Sequence, residues 1–169
     1  MNILQTDRLE LRQLDEGDAA FILALVNSPG WLEFIGDKGI RTEHAAKTYI
    51  QEGPKTSYLL NGYGLYAVVE KASEKVLGVC GLVKREQLAF PDVGFAFLPE
   101  HMSQGFALEA AQAVLEHAHA AFHFATIYAV TTLHNERSVR LLGKLGMGWE
   151  KIIRLNPSAD ELNLFSKHL

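Results

Sequence analysis

Residues 92–118, DVGFAFLPEHMSQGFALEAAQAVLEHA, read as a strand, a tight glycine turn and an amphipathic helix. Val93, Phe95 and Phe97 alternate with Gly94, Ala96 and Leu98, the period of two expected of a strand with two different faces. Pro99 stops that strand. After the turn, Ala107, Ala110, Ala111, Val114, Leu115 and Ala118 recur at helical spacing, so the helix begins almost on Gly105. A helix start leaves about four backbone N–H groups without partners and carries about half a positive charge. Facing the turn, those amides form a site for a phosphate that requires no lysine nearby.

A second unit follows at residues 125–148, ATIYAVTTLHNERSVRLLGKLGMG, which reads as a strand, a short helix and a glycine stop. Asn135 suits the helix N-cap, with Val139, Leu142 and Leu145 on the buried side, Lys144 in the last turn and Gly146 just past the end, followed by Met147. The remainder is placed more coarsely. A first strand covers Leu9 and Leu11, and residues 15–27 form a helix that Pro29-Gly30 ends. Thr42 caps a second helix closed by Gly53. Asn61-Gly62-Tyr63-Gly64 turns into a strand at 65–70, and residues 71–74 connect it as a hairpin to a strand at 75–83. Strands near 149–155 and 161–168 close the chain.

Met102-Ser103-Gln104-Gly105-Phe106-Ala107 resembles the pyrophosphate loop of the GCN5-related N-acetyltransferases, written (Gln/Arg)-x-x-Gly-x-(Gly/Ala). The last three positions match, whereas Met102 stands where that family usually has Gln or Arg. Asn135-x-x-Ser138 with Leu145-Gly146-Met147 resembles the family's second signature. Thr6-Asp7-Arg8-Leu9-Glu10-Leu11-Arg12 is similar to the opening strand of the subgroup related to the ribosomal-protein alanine N-acetyltransferases, and Gly17-Asp18-Ala19-Ala20 to the start of its first helix. The resemblance runs over nearly the whole chain. It implies one N-acetyltransferase domain over residues 1–169, with an α/β three-layer fold: a mixed, mostly antiparallel sheet of about seven strands with helices on both faces.

The resemblance further implies acetyl-CoA as co-substrate, entering between the strand that ends at Leu98 and the strand at 125–132. A backbone N–H near Phe97 or Leu98 would polarise the thioester carbonyl. Residues Met102, Ser103, Gln104, Gly105, Phe106 and Ala107 would hold the pyrophosphate, and Asn135 and Ser138 would meet the pantetheine arm and its sulfur. Ser138 is the candidate proton donor to the departing thiolate, its plainer role being that of a serine in the first helical turn. Asp92 and Glu86, at strand ends beside the expected cleft, are the candidate bases, or solvated carboxylates. His101 contacts substrate or solvent. Arg137, Arg140 and Lys144 reach the ribose phosphate of CoA or form a solvated helix face. Trp31 and Phe34, in a loop at 28–41, and residues 53–64 are expected to shape the acceptor pocket.

Composition narrows the classes. A chain of 169 residues suits one domain, and that size buries roughly 70% of its unfolded surface. A net charge of −4 with scattered Lys and Arg offers no basic field for nucleic acid. No apolar run approaches the about 20 residues that span a bilayer, and charges at Asp7 and Arg8 interrupt any leader pattern, so no membrane partner and a cytoplasmic location are expected. The one cysteine, Cys80, lies in a hydrophobic strand and reads as core. His117, His119 and His123 lack the accompanying ligands of a zinc site, and no metal is expected. The function that follows is direct acetyl transfer from acetyl-CoA to a primary amine, of a protein N-terminus or a small molecule, by a monomer or homodimer. An acyl-CoA-binding domain without turnover is the alternative.

Overall fold

Eight strands form one mixed sheet in the computed structural model, which describes residues 2–169. They are β1 (Asn2–Gln5), β2 (Leu9–Gln13), β3 (Leu65–Glu70), β4 (Val76–Val83), β5 (Asp92–Phe97), β6 (Thr126–Thr132), β7 (Gly148–Ile153) and β8 (Leu162–His168). Their order across the sheet is β1-β2-β3-β4-β5-β6-β8-β7, and every neighbouring pair is antiparallel except β5 with β6. The expected count of about seven strands omitted β1, a four-residue edge strand too short to show a period. Thr6–Arg8 is accordingly a turn and not strand: the Thr6 N–H reaches the Leu9 carbonyl at 2.9 Å, and Leu9 N–H the Thr6 hydroxyl at 3.1 Å.

Helices cover both faces. On one lie α5 (Phe106–Phe122) and α6 (Glu136–Lys144), over a core that includes Leu9, Leu11, Val68, Phe97, Phe106, Val114, Ile127, Leu142 and Phe165. Ala110, Ala111 and Ala118 are fully buried, so small side chains let α5 lie close to the sheet. The opposite face carries α1 (Ala19–Val26), α2 (Pro29–Phe34) and α3 (Glu43–Ile50), over Leu14, Ile22, Leu25, Trp31, Ile50, Ala67 and Val79. Arg12 grips Asp18 with two 2.8 Å bonds at the start of this layer. Burial alone would raise the Asp18 pKa, but the bonds from Arg12 and the Asp15 N–H outweigh it and hold the carboxyl below its usual range.

Two helix boundaries differ from the sequence reading. The helix expected at 15–27 does end before Pro29, α1 closing at Val26, but Pro29 also begins helix α2, in whose first turn a missing N–H costs nothing and the fixed φ is already helical. Gly53 does not close the helix that Thr42 caps, the Ala45 N–H donating to the Thr42 hydroxyl at 3.0 Å. The chain widens instead into one π turn at Gln51–Lys55, which accommodates Pro54, and continues as α4 (Thr56–Asn61) up to Gly62 at φ 79°. Elsewhere the stop signals hold: Met147 N–H to the Leu142 carbonyl and Gly146 N–H to the Gly143 carbonyl, both 3.0 Å, close α6 as a Schellman motif with Gly146 at φ 79°.

The central strand β4 is buried on both faces. Its Gly81 lies so close to the neighbouring chain that an added Cβ would stand 2.0 Å from the Gly64 carbonyl oxygen, a backbone atom that cannot swing aside. We expect Gly81→Ala to destabilise the protein by about 1–3 kcal/mol in urea unfolding, as overpacked sites do. A change within about 0.5 kcal/mol, the range of neutral surface substitutions, would refute this close approach.

Candidate active site

Between β5 and α5 the chain makes a 3-10 turn at Pro99–His101 and then passes through Ser103 at φ 62° and Gly105 at φ 81°. The left-handed glycine points the start of α5 at the turn. The first bond within the helix is Glu109 N–H to the Gly105 carbonyl at 3.1 Å, so the N–H groups of Phe106, Ala107 and Leu108 are left to the turn. Phe106 sends its ring into the core and contributes only backbone here. Ala107 is half-buried, and Ser103 and Gln104 are exposed.

The N-terminal turn clasps this loop. Glu109 accepts from the Thr6 hydroxyl at 2.5 Å, the Arg8 N–H at 3.0 Å and Arg8 Nε at 2.7 Å. The Arg8 guanidinium then donates to the Gln104 carbonyl at 3.1 Å and lies 4.4 Å above the Phe106 ring. Its Nη2 is 3.3 Å from where a Cβ on Gly105 would stand, a second reason for glycine there.

Beside the loop the sheet opens. β5 and β6 pair at one register, Asp92 with Tyr128, supported by Tyr128 N–H to the Pro91 carbonyl at 3.0 Å, and pair no further. The bond from Leu98 N–H to the Leu77 carbonyl, 3.0 Å, fixes the phase of the β4–β5 ladder. By antiparallel alternation Asp92, Gly94, Ala96 and Leu98 exchange bonds with β4, while the N–H groups of Phe95 and Phe97 turn toward the gap. Of the two expected carbonyl donors, Leu98 is therefore spent, and its own carbonyl accepts from His101 N–H at 3.0 Å. Phe97 keeps its N–H for the cleft.

α6 forms the other lip. The Asn135 side-chain oxygen accepts from the Ser138 N–H at 3.2 Å, which caps the helix and leaves the Asn135 amide group free to donate. The Ser138 hydroxyl, half-buried, has no protein partner among the described residues. Arg137 reaches back across the opening and places Nη1 3.0 Å from the Met102 sulfur.

A family model for the acetyltransferase (GNAT) domain matches residues 8–148. The chain belongs to the GNAT acetyltransferase family. Among relatives it is 29% identical to the N-acetyltransferase YoaA of Bacillus subtilis (strain 168), over 90% of this chain and 86% of that one. It is 24% identical to the N-acetyltransferase p20 of Bacillus licheniformis, over 91% of this chain and 86% of that one. The fold is similar to that of RimL, a ribosomal L7/L12 alpha-N-protein acetyltransferase solved in complex with coenzyme A, with a TM-score of 0.84 at 17% identity over 100% of this chain and 98% of that one. It is also similar to the ribosomal-protein-S5-alanine acetyltransferase of Vibrio fischeri, with a TM-score of 0.74 at 18% identity over 99% and 96% of the two chains.

In this GNAT acyltransferase α2 lies between the two lips of the opening. The Cβ position of Gly30 is 3.7 Å from the Met102 methyl carbon, and at the other end the Phe34 and His134 rings lie 5.4 Å apart. Residues 28–41, expected as a loop, contain α2, for which Pro29 at a first helical turn is the sequence signal. Two polar atoms in the region are buried without a partner among the described residues, Trp31 Nε1 on α2 and Thr132 Oγ1 at the end of β6. Buried polar atoms of folded proteins are rarely unpaired, so each is a candidate contact for a ligand or a bound water.

The candidate bases separate. Asp92 is 2% exposed at the closed end of the gap, with Arg85 Nε 2.9 Å from Oδ1; burial raises its pKa and Arg85 only partly offsets that. Glu86 is not at a strand end but exposed in the loop between β4 and β5. That loop and the β7–β8 hairpin border a hollow of about 210 Å³ floored by Tyr128 and Leu164. A larger groove of about 620 Å³, lined by Glu136, Val139, Arg140 and Trp149, includes neither Arg137 nor any residue of β5 and is not the β5–β6 cleft.

Other candidates have structural partners. Cys80 is fully buried, which pushes its thiol pKa up and leaves no thiolate to accept an acyl group. His117 packs edge-on against Phe122, His119 Nδ1 lies 3.4 Å from the Phe124 carbonyl, and His123 ends α5 in the left-handed conformation. His101 is half-buried in the 3-10 turn.

The clasp on α5 carries its own pH signature. Burial would raise the Glu109 pKa, but the bonds from Thr6 and Arg8 outweigh it and hold it low. A carboxylate held low contributes fully above its unfolded pKa of about 4.3, and the contribution is lost as pH falls through the folded value. Glu109→Gln should therefore cost about 1–3 kcal/mol at neutral pH. Urea unfolding should also show wild type losing more stability than the variant between about pH 5 and pH 2; parallel curves would contradict the clasp.

Proposed function

We propose that the protein, as one N-acetyltransferase domain over residues 1–169, moves an acetyl group from acetyl-CoA directly to a primary amine within a ternary complex. The observation that supports this most is the gap between β5 and β6, with the Phe97 N–H facing it and the start of α5 at its mouth. The residues present fit the co-substrate: a diphosphate suits the α5 amides, an extended amide-bearing arm suits the unpaired edge of β5, and the free Asn135 amide group suits a carbonyl of that arm. Bound acetyl-CoA supplies an acetyl group already activated as a thioester.

In this reading the Phe97 N–H stabilises negative charge as it develops on the thioester oxygen. The Ser138 hydroxyl, without a partner among the described residues, gives or relays a proton to the departing sulfur. The attacking amine must first lose a proton. Asp92 and Glu86 are the candidate acceptors: Asp92 is bonded to Arg85 and lies five strand residues, about 16 Å, from Phe97, so a proton reaches it only through a chain of waters, whereas Glu86 is solvated. The amine itself is that of a protein N-terminus or a small molecule, approaching past α2 and the hollow above Tyr128. The fully buried Cys80 supports direct transfer over a cysteine-bound intermediate.

Acetyl-CoA at about 100 times its Kd should add roughly 2.7 kcal/mol of stability, read as a rise in Tm that ATP and NAD do not give. With an accepted amine, Ser138→Ala should lower kcat at least about tenfold while retaining the acetyl-CoA shift, the pattern of a transition-state contact. A shift without thiol release across protein and small-molecule amines would instead favour acyl-CoA binding without turnover.

A further inference from the structure

The pyrophosphate loop begins with Met102, so its first position offers a diphosphate no donor and no charge. The structure brings a cation to that position from another element: Arg137, on the first turn of α6, has Nη1 3.0 Å from the Met102 sulfur. We propose that Arg137 supplies in space the charge that this loop lacks in sequence, exchanging the Met102 sulfur for the pyrophosphate of CoA. The proposal rests on the acetyl-CoA reading above.

The choice of Arg137 follows from how the other cations are committed. Arg8 also lies against the loop, but Glu109 neutralises it and its remaining bonds go to the Gln104 carbonyl and the Phe106 ring. Arg140 neighbours Arg137 one turn on, but it lines the groove of about 620 Å³ and faces Glu136 at 4.0 Å. Lys144 shares a flank with Arg137 but lies two turns on, about 10 Å along the helix axis. Arg137 alone of these touches the loop without a carboxylate partner among the described residues.

The contact it makes is a poor one for a guanidinium. A thioether is a weak acceptor, and five N–H donors in a planar fork match phosphate oxygens far better. Met102 thus holds the fork at the mouth of the cleft while leaving it electrostatically unsatisfied. The α5 amides approach a diphosphate from the sheet side and Arg137 from the α6 side, closing over the arm that runs between β5 and β6. A Cβ on Gly30 of α2 would stand 3.7 Å from the Met102 methyl carbon, so the same residue that gives up a charge lies beside α2.

The test is binding, not turnover. Kd values for CoA, dephospho-CoA and pantetheine would be measured by calorimetry for wild type, Arg137→Ala, Arg140→Ala and the double variant Arg137→Ala/Met102→Arg. Loss of one charge-assisted phosphate contact should weaken CoA and dephospho-CoA alike by about tenfold or more in Arg137→Ala, with pantetheine unaffected and unliganded Tm unchanged. Arg140→Ala should shift Kd less than about twofold, as for an exposed charge, and the double variant should recover most of the loss. Equal affinity of Arg137→Ala and wild type for CoA overturns the proposal, as does a loss confined to CoA, which would place Arg137 on the ribose phosphate instead. Wild type that binds none of the three overturns the acetyl-CoA reading itself, a result distinct from either.

Discussion

Two parallel strands that meet at one register and then part set the terms for the rest of this structure. A buried backbone N–H without a partner costs about 1–3 kcal/mol, so a sheet that leaves one strand edge unpaired is tolerable only where water or a ligand completes it. The edge in question belongs to β5, whose other side is fully bonded to β4. The strand is therefore held rigid by one neighbour while it presents Phe95 and Phe97 amides to the gap. Rigidity on one side is what makes the open side a site: a donor that must reorganise to meet developing charge is worth less than one already in place.

The lips of that gap are built by independent local signals that happen to agree. Gly105 and Ser103 adopt left-handed conformations that aim α5 at the opening, and Asn135 caps α6 so that its first turn faces the same space. Each device would be unremarkable alone. Their joint placement depends on the parallel β5-α5-β6 crossover, which puts the starts of both helices at the same end of the sheet. The clasp of Thr6 and Arg8 on Glu109 then ties the N-terminal turn to the first turns of α5, so the loop is held from outside as well as from the sheet.

What could be read from the sequence was what is local in the chain. The alternation at 93–98, the helical stripe from Gly105, the Asn135 cap and the Gly146 stop depend on neighbours a few residues apart, and all appear as read. The misreadings arose where local rules were ambiguous. Pro29 can end one helix or begin the next, and the outcome depended on a tertiary position between two loops that no short window contains. Gly53-Pro54 carries the signature of a helix end, yet a wider turn absorbed the proline and preserved the packing of Ile50 and Pro54. β1 was too short to carry a period and exists because β2 offers it an edge.

The site shows the same division at finer scale. Phe97 and Leu98 are adjacent, and nothing in the sequence distinguishes their amides; the ladder phase does, because a one-residue difference turns a backbone group from one neighbour strand to the other. Met102 shows the converse. Read along the chain, it is a departure from a motif and a lost contact. Read in space, it is a flexible side chain that lies beside Gly30 and touches the Arg137 guanidinium. A motif records which side chains one segment supplies, whereas a phosphate responds only to the charges and donors around it, whatever element carries them. Loss of a charge at one loop position therefore constrains the chain only as far as no other element can reach the same point, and here α6 does.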